Sequence, residues 1–286
     1  MANKTAVADL GNLFNEIIVE AQYTAQENSI MRPLVNMVPV ANAVGNVVQI
    51  PKFGLLTVEG TGEVGSPAIT EGGDLTGSDL TTSLAATITM AERAAMTLLT
   101  DDAVETMPNY NLAAEIGRIL GEQMAEQFDK DSMAVFADFK AANDIDATTG
   151  LNADVLFQAA AKLRMEKARG QMVGVFHPAA TYQLKAQLAS AGATELGALS
   201  NVGNSALVSG LVGQIAGITI FESTLVGANG GVFALDALGG AMKRDVRLET
   251  ERDASKRATE IVGSAVWGFS AVKPENGVSI TTVDAI

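Results

Sequence analysis

Between residues 8 and 21 the apolar side chains Leu10, Leu13, Phe14, Ile17, Ile18 and Ala21 recur at i, i+3, i+4, i+7, i+8 and i+11, with Glu16 and Glu20 off the stripe. That is the period of a one-sided amphipathic helix. So short a helix is marginal in water on its own, so its apolar face is expected to dock on a neighbouring surface. Pro33 and Pro39 then interrupt IMRPLVNMVPVANAVG, which reads as an extended arm. The period shifts to two in VVQIPKFG and again in TTSLAATITMAER, where Leu84, Ala86, Ile88 and Met90 alternate with their neighbours. The segment joining these runs is rich in Gly, carries Glu59, Glu63, Glu71, Asp74 and Asp79, and has no Lys or Arg from 57 to 80. It cannot build a core of its own, so it is either disordered or ordered against another chain. Strand, acidic Gly-rich tip and strand together predict a long projecting hairpin.

After TDDAVETMPNY the period becomes helical. Asn111 is placed as N-cap, and Leu112, Ile116, Leu120, Met124 and Phe128 follow at steps of four, with Val135 and Phe139 extending the stripe. The pattern predicts a helix of roughly 28 residues, about 42 Å long. NDIDATTG marks a turn and a domain boundary. Asn152 caps a second helix that Gly170 is expected to end, and QMVGVFHP is a short strand whose Pro178 opens a third helix. GLVGQIAGITIFES, GVFALDA, AMKRDVRLETERD, ATEIVGSAVWGFSAV and VSITTVDAI read as strands. Strands and helices in this mixed order predict an α+β fold.

Composition narrows the function. The 286 residues carry no Cys, a formal net charge of −14 and 48% hydrophobic residues. Disulfides, zinc ribbons and cysteine nucleophiles are excluded, and stability must come from packing or association. The negative charge repels phosphate backbones, which argues against direct nucleic-acid readout. MANKTAVADLGNLFNE lacks the apolar core of a signal peptide, and the 12-residue run IVGSAVWGFSAV is too short to span a bilayer. No membrane association and no secretion are the resulting expectations.

Candidate chemistry is sparse. His177 is the sole His, at a strand-to-helix corner beside Pro178; a backbone-bonded corner residue is preferred to a catalytic one. Gly210, Gly213 and Gly217 have the spacing of neither a phosphate-cradling loop nor a dinucleotide fingerprint. Asp144, Asp146 and Thr148 match the first positions of a calcium loop, but Gly150 falls one place late and Val155 stands where the closing carboxylate belongs. An Asx-turn cluster accounts for them. No enzyme activity, cofactor or metal is expected. What remains is charge: six of the nineteen basic residues lie between Lys243 and Arg257, interleaved with Asp245, Glu249, Glu251 and Asp253. This belt is either a solvated edge or a surface that meets copies of itself.

AITEGGDLTGSDL ahead of a strand, the acidic TDDAVE turn before the long helix, VFHPAATYQL, GQIAGITIFES and VFALDALGGAMKRDV occur in an order that resembles the major capsid proteins of tailed phages, the Hong Kong 97-type capsid fold. The resemblance covers nearly the whole chain. It implies an N-terminal arm at 1–45, an extended hairpin loop at 46–92, a peripheral domain with a spine helix at 93–149, an axial domain of mixed sheet and helices at 150–240, and strands returning to the peripheral domain at 241–286. The implied function is a structural shell protein that assembles as pentamers and hexamers into an icosahedral or prolate capsid around double-stranded DNA, in the virion, after assembly in the host cytoplasm. Portal, scaffolding and decoration proteins are the implied partners. Because no long scaffolding segment precedes the arm, scaffolding is expected from a separate protein or to be dispensable. An encapsulin-type compartment of the same fold is one alternative, and an extracellular lattice or filament protein another. Within this picture Arg244, Arg247 and Arg252 are the basic candidates for subunit contacts, with Glu63, Glu71 and Asp74 as acidic partners.

Overall fold

The structure, a computed structural model, is described over residues 29–40, 45–53, 82–102, 112–194 and 214–282. The helix expected at 8–21, the acidic tip with Glu63, Glu71 and Asp74, the Asn111 cap, Gly210 and Gly213 lie outside these residues. In chain order the elements are β1 (Asn36–Pro39), β2 (Val47–Phe53), β3 (Thr82–Thr89), β4 (Ala91–Thr100), α1 (Leu112–Ala134), β5 (Ile145–Asp146), α2 (Ala153–Met165), β6 (Met172–Phe176), α3 (Pro178–Thr194), β7 (Gln214–Ile215), β8 (Ile218–Glu222), β9 (Asn229–Ala234), β10 (Leu238–Asp253), β11 (Ala258–Ala271) and β12 (Gly277–Thr281).

The long helix is present but shorter than its apolar stripe. α1 has 23 residues, about 34 Å, and then tightens into a 3-10 turn over Val135–Asp138 before Phe139 becomes extended. The stripe nevertheless continues inward, because Phe136 and Phe139 remain buried and pack on Phe233 beneath the other sheet. Apolar periodicity therefore ran past the helix end: the buried face is shared by two kinds of helical turn.

Three sheets organise the chain. A four-stranded sheet has the order β1-β10-β11-β4, a six-stranded sheet the order β5-β12-β9-β6-β8-β7, and β2 and β3 form a separate two-stranded ribbon. The ribbon pairs antiparallel from Val47↔Thr89 to Phe53↔Thr82, which is the root of the hairpin expected from the sequence. Ala86, Ile88 and Met90 turn inward as the alternation requires. Ile88 and Met90 pack with Ala241 against Val48, Ile50 and Val266.

α1 lies on one face of the four-stranded sheet. Ile116 and Leu120 meet Ile261, and Met124 and Phe128 meet Val246, Ala265 and Trp267. Each such side chain contributes about 1.5–3 kcal/mol on burial. Phe128 also makes edge contacts with Trp267 and Phe269, ring centres 5.5 and 4.8 Å apart. Where β3 turns into β4, the chain presses on Gly268; a Cβ there would collide with the Thr89 carbonyl oxygen.

The six-stranded sheet carries α2 and α3. Leu156, Ala159, Leu163, Ala180 and Leu184 bury against Phe176, Ile218, Val232 and Ile280. Asn152 caps α2 as expected, its Oδ1 accepting from the Val155 N–H at 2.9 Å. The other end differs from expectation. α2 stops at Met165, Lys167 takes the left-handed conformation at φ 60°, and the amides of Lys167 and Ala168 donate to the carbonyls of Arg164 and Leu163. That closure satisfies the last carbonyls without a glycine, and Gly170 belongs to the next turn. β12 also departs from the grouping of 241–286: it pairs antiparallel with β9 and parallel with β5 in the six-stranded sheet. Thus β10 and β11 return to the α1 side, and the last strand goes back to the other.

Candidate assembly surface

Most of the charged belt lies on β10 and the turn after it. β10 begins buried, with Leu238, Gly239, Gly240 and Ala241 against β1 and β11, and becomes exposed as it runs outward. Register shifts between Met242 and Arg244 and between Arg244 and Arg247 mark bulges in its pairing with β11. Beyond them the strands align regularly from Arg247↔Ser264 to Asp253↔Ala258. Bulges bend a strand and re-aim its side chains, so the belt is split into a part at the hairpin root and a part on the outer stretch of β10, where β10, β11 and β4 run side by side.

Much of the belt's charge is met inside the chain. Arg252 forms a bidentate pair with Asp101 at the end of β4, both contacts at 2.6 Å; the Arg252 hydrogen bond is the main reason the Asp101 carboxyl is held below its ordinary range. Arg244 pairs with Glu92 on β4 and reaches the Ser264 hydroxyl. Arg32 of the arm bonds Asp245 at 3.1 Å, and Lys243 donates to the Asn46 side-chain oxygen at 3.1 Å. At the tip, Asp253 accepts from the Ser255 hydroxyl and from the Ser255 and Lys256 amides. These bonds, the Ser255 hydroxyl first, push its carboxyl down to about 2. Surface pairs of this kind add little to stability, so their effect is to fix how β10 lies on β4 and on residues 29–40.

Arg247 is the exception. It is 61% exposed, and its partner is Glu249 on its own strand, itself 60% exposed. Across the sheet, Arg247 aligns with Ser264 and Ala94, and Glu249 with Val262 and Met96. Met96 and Leu98 are 63% and 42% exposed, on the face turned away from α1. This face of the sheet therefore offers apolar side chains of β4 beside a cation and an anion of β10. Of the three basic candidates, Arg247 is the most exposed, while Arg244 and Arg252 pair with Glu92 and Asp101 at the two ends of β4. The acidic candidates lie outside the described residues.

Two carboxylates on α1 were not singled out by the sequence. Asp129 is buried and accepts from the Ser29 hydroxyl at 2.5 Å and from the Ile30 and Met31 amides at 2.9 and 3.1 Å. It fastens the arm to the helix, while burial pushes its carboxyl up against the effect of those bonds. Asp131 accepts from Arg93 at 2.8 Å, Gln127 at 2.7 Å and the Trp267 indole at 3.0 Å. Burial pushes it up, but these three bonds outweigh burial and hold it below the ordinary carboxylate range. Both sit at positions i+1 and i+3 from Phe128, beside the buried stripe, and that placement was the available signal.

The remaining motifs resolve as local structure. The His177 ring accepts from the Ala179 amide through Nδ1 at 3.2 Å, ending β6 and starting α3. In the calcium-like turn, Asp146 accepts from the Thr148 amide, and the Lys162 ammonium donates to the Asn143 and Asp144 carbonyls at 3.1 and 3.0 Å. A side-chain cation thus occupies the carbonyls of that turn. Gly217 and Ala216, both at positive φ, form the tight turn between β7 and β8. Among the described residues, no group of three or more His, Asp or Glu is placed to hold a metal ion, and no helix is long and apolar enough to cross a membrane.

A spine helix on a long-stranded sheet, a second mixed sheet with two helices, and a hairpin rooted between arm and spine make up the Hong Kong 97-type capsid fold. The capsid of cyanophage P-SCSP1u has a chain that superposes with a TM-score of 0.69 at 18% identity, covering 89% of this chain and 88% of that one. For bacteriophage PhiM1 the values are 0.64, 16%, 91% and 88%, and for a virus-like particle from Pyrococcus furiosus 0.59, 10%, 93% and 98%. A family model described as phage capsid protein matches residues 81–280. The chain belongs to the phage capsid protein family, as a structural capsid protein. No curated protein matches it. The compartment alternative gains nothing beyond the shared fold.

Proposed function

We propose that the chain is the repeating unit of a closed shell, forming pentamers and hexamers that surround double-stranded DNA in the virion after assembly in the host cytoplasm. The observation that carries this reading is the face of the β10–β11–β4 sheet turned away from α1, which leaves Arg247 and Glu249 of β10 and Met96 and Leu98 of β4 exposed in a chain of the capsid family. Shell interfaces typically bury more than ~2,000 Å², enough to stabilise a particle without disulfides. The net charge of −14 suits a wall that does not clamp the polymer it contains. The boundaries at 1–45, 46–92, 93–149, 150–240 and 241–286 are proposed as functional segments, with residues 277–281 contributing their strand to the axial side. Glu63, Glu71 and Asp74 are proposed to meet cations on an adjacent copy, and portal, scaffolding and decoration proteins are proposed as further partners.

The test is Arg247→Glu. It places a third carboxylate beside Glu249 and Glu251 on an exposed strand, where surface changes cost the fold little. The expected result is a soluble subunit with unchanged circular dichroism and few or no particles under the electron microscope. Shells of normal yield and size would remove the arm from the assembly surface.

A further inference from the structure

The hairpin root holds two adjacent cations, Lys243 and Arg244, that the other described residues do not fully use. In a regular strand Lys243 and Arg244 would point to opposite faces. Here the register shifts around Arg244 intervene, and both line one open cavity of about 380 Å³ with Asn46, Glu92 and Val266. Among the described residues the charges there do not balance: two cations face one carboxylate, Glu92. Lys243 is met by the neutral oxygen of Asn46. Arg244 spends one terminal nitrogen on Glu92 and Ser264, while its Nε is buried with no acceptor. A buried donor without an acceptor is rare in folded chains, and an arginine edge matches a carboxylate in two-point geometry.

We infer that this cavity receives an aspartate or glutamate side chain from a second copy of the chain, held by Lys243 and Arg244 at the bulge of β10. The incoming carboxylate neutralises the surplus positive charge and lies against the Val266 wall with its methylenes. Nε is covered in the separate chain, so docking turns the guanidinium to present its Nε edge. The partner is a copy of this chain because acidic residues outnumber basic ones 33 to 19, so each copy brings carboxylates in excess of its own cations. The position, at the root of the β2–β3 ribbon and beside the arm, couples occupancy of the cavity to the angle at which the hairpin leaves the body. This inference rests on the shell reading.

The experiment uses particles assembled from an equal mixture of ordinary and 15N-labelled full-length chain, treated with a carbodiimide that joins amines to carboxylates. Digestion and mass spectrometry then separate links within a chain from links between chains. The expected result is a Lys243 link to an Asp or Glu that carries mixed isotope labels in particles and is missing from unassembled subunits. Lys243 linked within its own chain alone, or unlinked while other intersubunit links form, overturns the inference and leaves the shell reading intact. Equal Lys243 linkage in particles and subunits also overturns it. Nuclease-sensitive protection of Lys243 in DNA-filled particles, with no intersubunit link, assigns the cavity to phosphate and overturns it too. If the unaltered chain forms no assembled species under any condition, the shell reading itself fails and the inference with it. Lys243→Gln provides the second arm: a folded subunit whose critical concentration for assembly rises about tenfold, against no change if the cavity stays empty.

Discussion

The seam between α1 and the four-stranded sheet makes the most quantitative prediction. Phe128 is 4% exposed and touches Trp267 and Phe269 edge-on. Replacing it with Ala removes a buried aromatic ring, for which transfer and cavity terms together cost about 3–5 kcal/mol. The two ring contacts, each worth ~0.5–1.5 kcal/mol beyond area, place the loss towards the upper end, about 4 kcal/mol. Trp267 is the single Trp of the chain and sits in this seam, so its fluorescence reports the transition without added probes. In urea, with a slope of about 3 kcal/mol per molar or more for a chain of this size, the midpoint of the unassembled subunit should fall by roughly 1 M with little change in slope. Phe128→Leu, which keeps most of the volume, should lose about 1–2 kcal/mol. A loss under ~1 kcal/mol for Phe128→Ala would show that the sheet holds its shape without the spine helix, contrary to the packing described here.

Other consequences follow from single contacts. Asp129→Ala strips the acceptor from three donors around residues 29–31, and should cost about 2–4 kcal/mol with faster proteolysis near residues 29–35; unchanged cleavage would show that the arm is held elsewhere. Asp131 has a depressed carboxyl, so its contribution is present above the unfolded value of about 3.9 and is lost as pH falls through the lower folded value. Asp131→Asn should therefore flatten the decline in stability below about pH 4, and an unaltered acid limb in urea melts at pH 2–5 would oppose this. Gly268→Ala forces a Cβ into the Thr89 backbone and should cost about 2–4 kcal/mol; a neutral substitution would mean that the β3–β4 corner moves freely. Deleting residues 60–79 should leave a folded body but abolish or misdirect shell formation, and particles of ordinary form would separate the acidic segment from assembly.

The sequence carried the elements better than their limits and partners. Steps of four from Ile116 to Phe128 located the spine because a helix on a sheet buries one continuous stripe. The same stripe hid the change to a 3-10 turn at Val135, since Phe136 and Phe139 stay apolar and buried whichever turn they occupy. Asn152 and Pro178 mark helix starts through their own side chains and were legible. The end of α2 was not, because Lys167 adopts the conformation that Gly170 was expected to supply. The charge belt was visible, and the alternation of its signs suggested contacts between molecules. Which charges are spent inside the chain depends on pairings such as Arg252 with Asp101, 151 residues apart, and on bulges that no local pattern announces. The apolar exposure of Met96 and Leu98 was hidden because residues 94–100 were not read as a strand, and only the register of β4 with β11 shows which face α1 covers.

The central claim is that this chain closes upon copies of itself. Electron microscopy of the purified, overexpressed full chain tests it most directly. The account predicts closed shells of uniform diameter with pentameric and hexameric units. Subunits that remain monomeric at high concentration, or that build only open sheets or fibres, would contradict it.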